Sequence, residues 1–184
     1  MAIDLGTLLV KANAYKHVLQ NTEDYRHQWP ATIKPLLKES LDEIIAAAEL
    51  KADVKFQENI ENLEAVILDL GKSSSGISES LEDSGVKRTM VKNNGALIYQ
   101  QLFNGKIMVM LMSPYIEGYG DPKPPKTIEI LRPDELNKSF IIRHMELFLK
   151  DITEWEDFDD DQPVKNNTGF NPIGFHNNGV QTEE

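Results

Sequence analysis

The chain has 184 residues, of which 40% are hydrophobic, contains no cysteine and carries a formal net charge of −11. That length suits one principal domain with a single sizeable core, while the absence of cysteine excludes disulfides, thiolate metal sites and a cysteine nucleophile. The acidic balance argues against nucleic acid or an anionic membrane as partner, and with neither a membrane-length apolar run nor a signal-peptide pattern in the first residues, a soluble, cytoplasmic protein is expected.

From Asp4 to about Gln20, the residues Leu5, Leu8, Leu9, Ala12, Tyr15 and Leu19 recur at helical spacing, and Asp4 stands where a carboxylate caps the first amides. A polar connector, Asn21 to Trp29, leads to a second helical pattern with Ile33, Leu37, Leu41, Ile44 and Ala48 on one face, opened by Pro30 and Pro35. Two antiparallel helices are therefore expected at the N-terminus. Residues 51–71 fit either a helical stripe or two strands. The alternation of Ala52, Val54 and Phe56 with Asp53, Lys55 and Gln57, and the β-branched pair Val66-Ile67, favour strands near 52–58 and 64–70 around a turn at Glu58–Leu63.

Lys72 to Gly85 is rich in Ser, Gly and acid and reads as a mobile excursion. Val86–Val91 and Ala96–Phe103 read as strands joined at Asn93-Asn94-Gly95, and Asn104-Gly105 returns the chain along Ile107–Met112. Asn-Gly favours short hairpin turns because both residues accept positive φ, so a three-stranded meander is predicted. Its last strand is apolar both ways, with Ile107, Val109 and Leu111 on one face and Met108, Met110 and Met112 on the other, as expected of an interior strand covered above and below.

Pro114, Pro122, Pro124 and Pro125, with Gly118 and Gly120, interrupt the ladder before a strand resumes at Thr127–Leu131. Pro133, Asp134 and Glu135 make a helix start, and Ile141, Met145, Phe148, Ile152 and Trp155 fall on one face of a helix ending near Trp155. After Phe158 the composition turns to Asp, Asn, Gly and Pro. The sum is an α+β fold: an antiparallel sheet of about five to six strands, with two N-terminal helices and one long C-terminal helix packed on it. Residues 1–158 are expected to form the domain and 159–184 an acidic, Asn- and Gly-rich flexible tail.

Motifs with defined chemistry fail at their defining residues. Gly71-Lys72-Ser73 looks like the end of a phosphate-binding loop, but Val66 stands where that motif needs its first glycine. Gly118-Tyr119-Gly120 lacks the third glycine of a dinucleotide site. Asp157, Asp159 and Asp161 have the alternation of calcium ligands, yet Gln162 replaces the turn glycine and Thr168 the bidentate Glu. The four histidines are scattered, and His144 reads as a hydrogen-bonding side chain on a helix committed to packing. No metal and no cofactor are expected.

Two sets of residues remain. The proline-bounded loop 113–125 gathers Tyr115, Glu117, Tyr119 and Asp121 at the exit of the central strand and is the candidate ligand-binding site. Met108, Met110 and Met112 on one strand face, with Phe170 and Phe175 in the tail, are candidate interaction residues, because methionine adapts to apolar partners and tails seldom need phenylalanine. The expected function is that of a non-enzymatic interaction or accessory protein that binds a basic partner or itself; the alternative is a small-molecule-binding protein or enzyme using the 113–125 loop.

Overall fold

The computed structural model describes residues 5–80, 87–119 and 122–158. Helix α1 spans Gly6–Gln28 and α2 spans Lys34–Ala47, and the residues between them, Trp29–Ile33, stay helical as a widened π turn. One continuous helical run thus replaces the polar connector and the antiparallel pair that the sequence suggests. The polar stretch before Pro30 holds no glycine or proline that would force the chain out of the helix, and the extra residue in the π turn accommodates the Pro30 ring and its missing amide. Trp29 drops into the core, its indole Nε1 donating to Glu64 Oε2 at 3.0 Å, and Ile33, Leu37 and Leu41 continue the buried line along α2.

Among the described residues the strands are β1 (Asp53–Gln57), β2 (Ala65–Asp69), β3 (Lys72–Ser80), β4 (Lys87–Asn93), β5 (Ala96–Gln101), β6 (Ile107–Met112), β7 (Tyr115–Ile116) and β8 (Lys126–Leu131), followed by helix α3 (Lys138–Glu156). Five of them form an antiparallel sheet in the order β1-β2-β5-β6-β8, and three form a second sheet in the order β3-β4-β7. The protein is α+β. The strands expected near 52–58, 64–70, 107–112 and 127–131 are present, and the β5–β6 hairpin closes at Gly105 (φ +74°).

Two sheet expectations are corrected. The Ser-rich segment from Lys72 is not an excursion as far as Ser80: it is strand β3, paired with β4 from Lys72↔Asn93 to Ser80↔Lys87. Asn93-Asn94-Gly95 is not a hairpin turn, since β4 and β5 run on in one direction rather than folding back on each other. Leu70 N donates to the Gly95 carbonyl and Asn94 N to the Gly71 carbonyl, so β2–β3 and β4–β5 form two long antiparallel paths that bend together at those glycines. Positive φ at Gly95 (+95°) serves the bend, and a Cβ there would lie 2.7 Å from the Met112 carbonyl oxygen and Ile152 Cδ1. Sequence alone does not separate a positive-φ kink from a positive-φ turn.

The final helix also starts later than Pro133. Pro133–Glu135 form a separate 3-10 turn, and α3 begins after Asn137, whose side-chain oxygen accepts from Ser139 N at 3.0 Å and Phe140 N at 3.3 Å. Helices α2 and α3 cover the same side of the five-stranded sheet. The core there joins Leu37, Leu41, Ile141, Met145 and Phe148 to Val66, Leu68, Leu97, Tyr99, Val109 and Leu111. Among the described residues no helix is long and apolar enough to cross a membrane.

Candidate functional site

Side chains alternate along a strand, and the register of the sheet sorts them into two unlike faces. Ile107, Val109 and Leu111 point toward the helices and are buried, whereas Met108, Met110 and Met112 point the other way and are only half-buried. β6 is the interior strand that the sequence suggests, lying between β5 and β8, and its cover is complete on the helix side and partial on the other. Cross-strand pairing extends the outer face into rows. Lys55, Ile67, Ile98, Met110 and Thr127 stand opposite one another in turn, next to a row of Gln57, Ala65, Gln100, Met108 and Ile130.

The centre of this outer face is apolar. Ile67, Ile98, Met108, Met110 and Met112 are half-buried and Ile130 is 53% exposed, while Lys55 and Asp69, 2.5 Å apart, form a charged margin on the β1 side. Unbranched thioethers flanked by β-branched residues give a surface that repacks against varied shapes at small cost. Sequence reasoning found the methionines but not Ile67, Ile98 and Ile130. The signal for those three lay in the two-residue period, which places them beside the methionines once the strand order is known.

The helix side contains a polar cluster that runs from the buried Tyr99 and His144 to the surface at Glu129 and Arg143. Glu129, opposite Val109, ion-pairs with Arg143 and is hydrogen-bonded to the Nε2 of His144, and His144 Nδ1 lies 3.1 Å from the Tyr99 hydroxyl. A carboxylate only accepts, so His144 donates through Nε2 to Glu129 and accepts through Nδ1 from Tyr99. Burial holds the His144 pKa below its ordinary value against the upward pull of Glu129. Burial also raises Tyr99, with Glu129 adding to the effect. For Glu129 burial pushes the pKa up, but hydrogen bonds from His144 and Arg143 outweigh it and keep the carboxylate ionised. Tyr99 and His144 have every polar atom committed to a partner and no exposed surface, so the cluster ties α3 to the sheet.

The candidate loop is spread along a sheet edge. Tyr115 lies in β7 opposite Asn93, Glu117 is exposed and ion-paired with Lys72 at 2.6 Å, and Tyr119 N donates to the Ile116 carbonyl. Asp121, Phe170 and Phe175 lie outside the described residues. An open depression of about 270 Å³ sits between α3 and the β6–β8 edge, lined by Lys126, Thr127, Ile128, Leu147, Lys150 and Glu154 among others, and Tyr115, Glu117 and Tyr119 are not part of it. Among the described residues no group of three His, Asp or Glu side chains is arranged to hold a metal ion. Comparison with protein-family models, curated proteins and solved structures finds no match.

Proposed function

We propose that the protein is a non-enzymatic interaction protein whose recognition surface is the outer face of the five-stranded sheet, with the tail residues Phe170 and Phe175 as additional anchors. The observation that carries this reading is the asymmetry of the sheet: the same strands that bury Ile107, Val109 and Leu111 under helices leave Ile67, Ile98, Met108, Met110 and Ile130 open to a partner. A net charge of −11 favours a partner with basic residues around its own apolar patch, which speeds encounter and excludes acidic competitors. The ligand-binding alternative has less support, because Glu117 is engaged with Lys72 and the depression beside α3 is lined by other residues.

Methionine oxidation tests the reading directly, since dilute peroxide converts exposed thioethers to sulfoxides and spares buried ones. In dilute purified protein Met108, Met110 and Met112 are expected to oxidise faster than Met145, which α3 buries against the sheet. Protection of the three that grows with protein concentration identifies a second copy as the partner. Protection gained only in extract from the source cells, and lost with the Met110→Lys variant, identifies a different protein. Equal reactivity under all three conditions removes the sheet face as the recognition surface.

A further inference from the structure

Helix α1 is the longest helix described, at 23 residues, and none of its residues is buried. Along it Leu5, Leu8, Ala12, Tyr15, Leu19 and Thr22 follow one another at spacings of three, four, three, four and three. That is the heptad seam of a two-stranded coiled coil. Leu8, Tyr15 and Leu19 are 60%, 64% and 51% exposed, while the opposite face carries Asn13, His17, Gln20, Asn21 and Asp24, with Val10, 69% exposed, as its apolar exception. A bare seam of this length gives a helix little reason to persist, because helical stability in proteins comes mainly from packing of the apolar face.

We infer that α1 docks antiparallel against α1 of a second copy of this chain. With the two 5–22 segments fully overlapped in that sense, Leu5 meets Thr22, Leu8 meets Leu19 and Ala12 meets Tyr15 of the other copy. Every layer then joins the two alternating seam positions, and at the centre a small residue faces a large one, which is how close-packed layers fill without voids. Parallel pairing stacks Ala12 on Ala12 and Tyr15 on Tyr15, a gap beside an overfilled layer, and sets Lys11 of each copy against Lys16 of the other. In the antiparallel arrangement Lys11 flanks Val18 and Lys16 flanks Leu9 of the second copy, where their methylene stems cover apolar surface.

The seam ends against the body of the protein. Arg26, one turn beyond Thr22, donates through Nε to the Phe103 carbonyl at 2.9 Å, and the Phe103 side chain is 70% exposed. This leaves an open aromatic on the residue that Arg26 grips, one turn beyond the Thr22 that Leu5 of the second copy faces. The seam and its flanks surrender on the order of 1,000 Å² in total, near the lower bound for a specific interface, so the dimer is reversible and concentration-dependent. The surface is separate from the outer sheet face, and the pairing stands or falls independently of the reading given above.

A chain without cysteine allows a direct test with the full-length protein. Leu8→Cys and Leu19→Cys are made in separate chains, mixed and oxidised mildly, with Asn13→Cys on the polar face as control; both leucines are exposed, and far-UV circular dichroism confirms that the variants fold. Mixed 8-to-19 disulfides in at least about tenfold excess over 8-to-8 and 19-to-19 links are expected, together with wild-type dimerisation in sedimentation that Leu8→Lys with Leu19→Lys weakens at least about tenfold. Prevailing 8-to-8 and 19-to-19 links overturn the antiparallel pairing. A wild-type protein that stays monomeric at about 100 μM overturns it as well, as does a dimer unchanged by the double lysine variant, which would point to the sheet face instead.

Discussion

Helices α1 and α3 each carry apolar residues at helical spacing, in a far sharper stripe on α3 than on α1, and they meet opposite fates. α3 buries Ile141, His144, Met145 and Phe148, starts under an Asn137 cap and is tied to the sheet by the Tyr99–His144–Glu129 chain; α1 buries nothing and has no side-chain cap at Leu5. The difference teaches that a stripe at helical spacing reports an apolar face and not the source of its cover. Whether cover comes from the same chain depends on tertiary placement, and α1 continues straight through the Trp29 π turn instead of folding back over the sheet.

The largest expected effect follows from that contrast. Phe148→Ala should lower stability by about 3–5 kcal/mol, because it opens a cavity under α3, while Leu8→Ala in dilute protein should stay within about 0.5 kcal/mol of wild type. Urea unfolding at low protein concentration measures both. A Leu8→Ala loss comparable to that of Phe148→Ala would mean that the α1 stripe is covered within the monomer.

Among the described residues the close seat of α1 is its last turn. A Cβ on Gly105 would lie 2.6 Å from Tyr25 Cβ and 2.8 Å from Arg26 N, at a backbone φ of +74°. Gly105→Ala is therefore expected to cost more than about 1 kcal/mol, from strain and from displacement of that turn. Amide exchange should quicken at residues 20–28 and stay unchanged in α3; uniform quickening would show that α1 and α3 unfold as one unit.

Much of this architecture was legible in the sequence, and the failures share a cause. Alternation located β1, the β-branched pair Val66-Ile67 located β2, a continuous apolar run located β6, and Asn104-Gly105 located the hairpin between β5 and β6, because those signals are local. The run from Asn21 to Trp29 was misread as a connector because polarity resembles a loop, yet a helix that buries no side chain before Trp29 can be polar there and still continue. The Ser-rich β3 was missed because an exposed strand lacks alternation and is defined by its pairing with β4. The outer face was half legible: three methionines announce themselves in one strand, whereas their junction with Ile67, Ile98 and Ile130 depends on a strand order that composition does not carry.

Acid should act on α3 before it acts on α1, because the buried His144 belongs to α3. Its folded pKa lies below the ordinary 6.5, so the unfolded chain binds a proton that the folded protein resists. The contribution is complete above about pH 6.5 and is lost progressively as pH falls below it. Glu129, held below its ordinary 4.5, adds a second loss under more acid conditions. Unfolding midpoints between pH 7 and 5.5 should therefore fall for wild type and flatten for His144→Gln. An equal slope in both would place the responsible proton elsewhere.

The smallest effect probes the helix starts. Asn137→Ala removes the acceptor for two free amides of α3 and should cost about 1 kcal/mol in global unfolding, since α3 cannot fray without uncovering Phe140 and Ile141. Giving α1 the missing cap through Leu5→Asp should satisfy the same kind of amides and yet leave the unfolding midpoint of the dilute monomer unmoved, because the first turns of α1 open without exposing any core. Only local exchange at residues 6–9 should slow. A midpoint that rises with Leu5→Asp as much as it drops with Asn137→Ala would show the two helix starts to be equally coupled to the core, and the distinction between covered and uncovered helices would no longer hold.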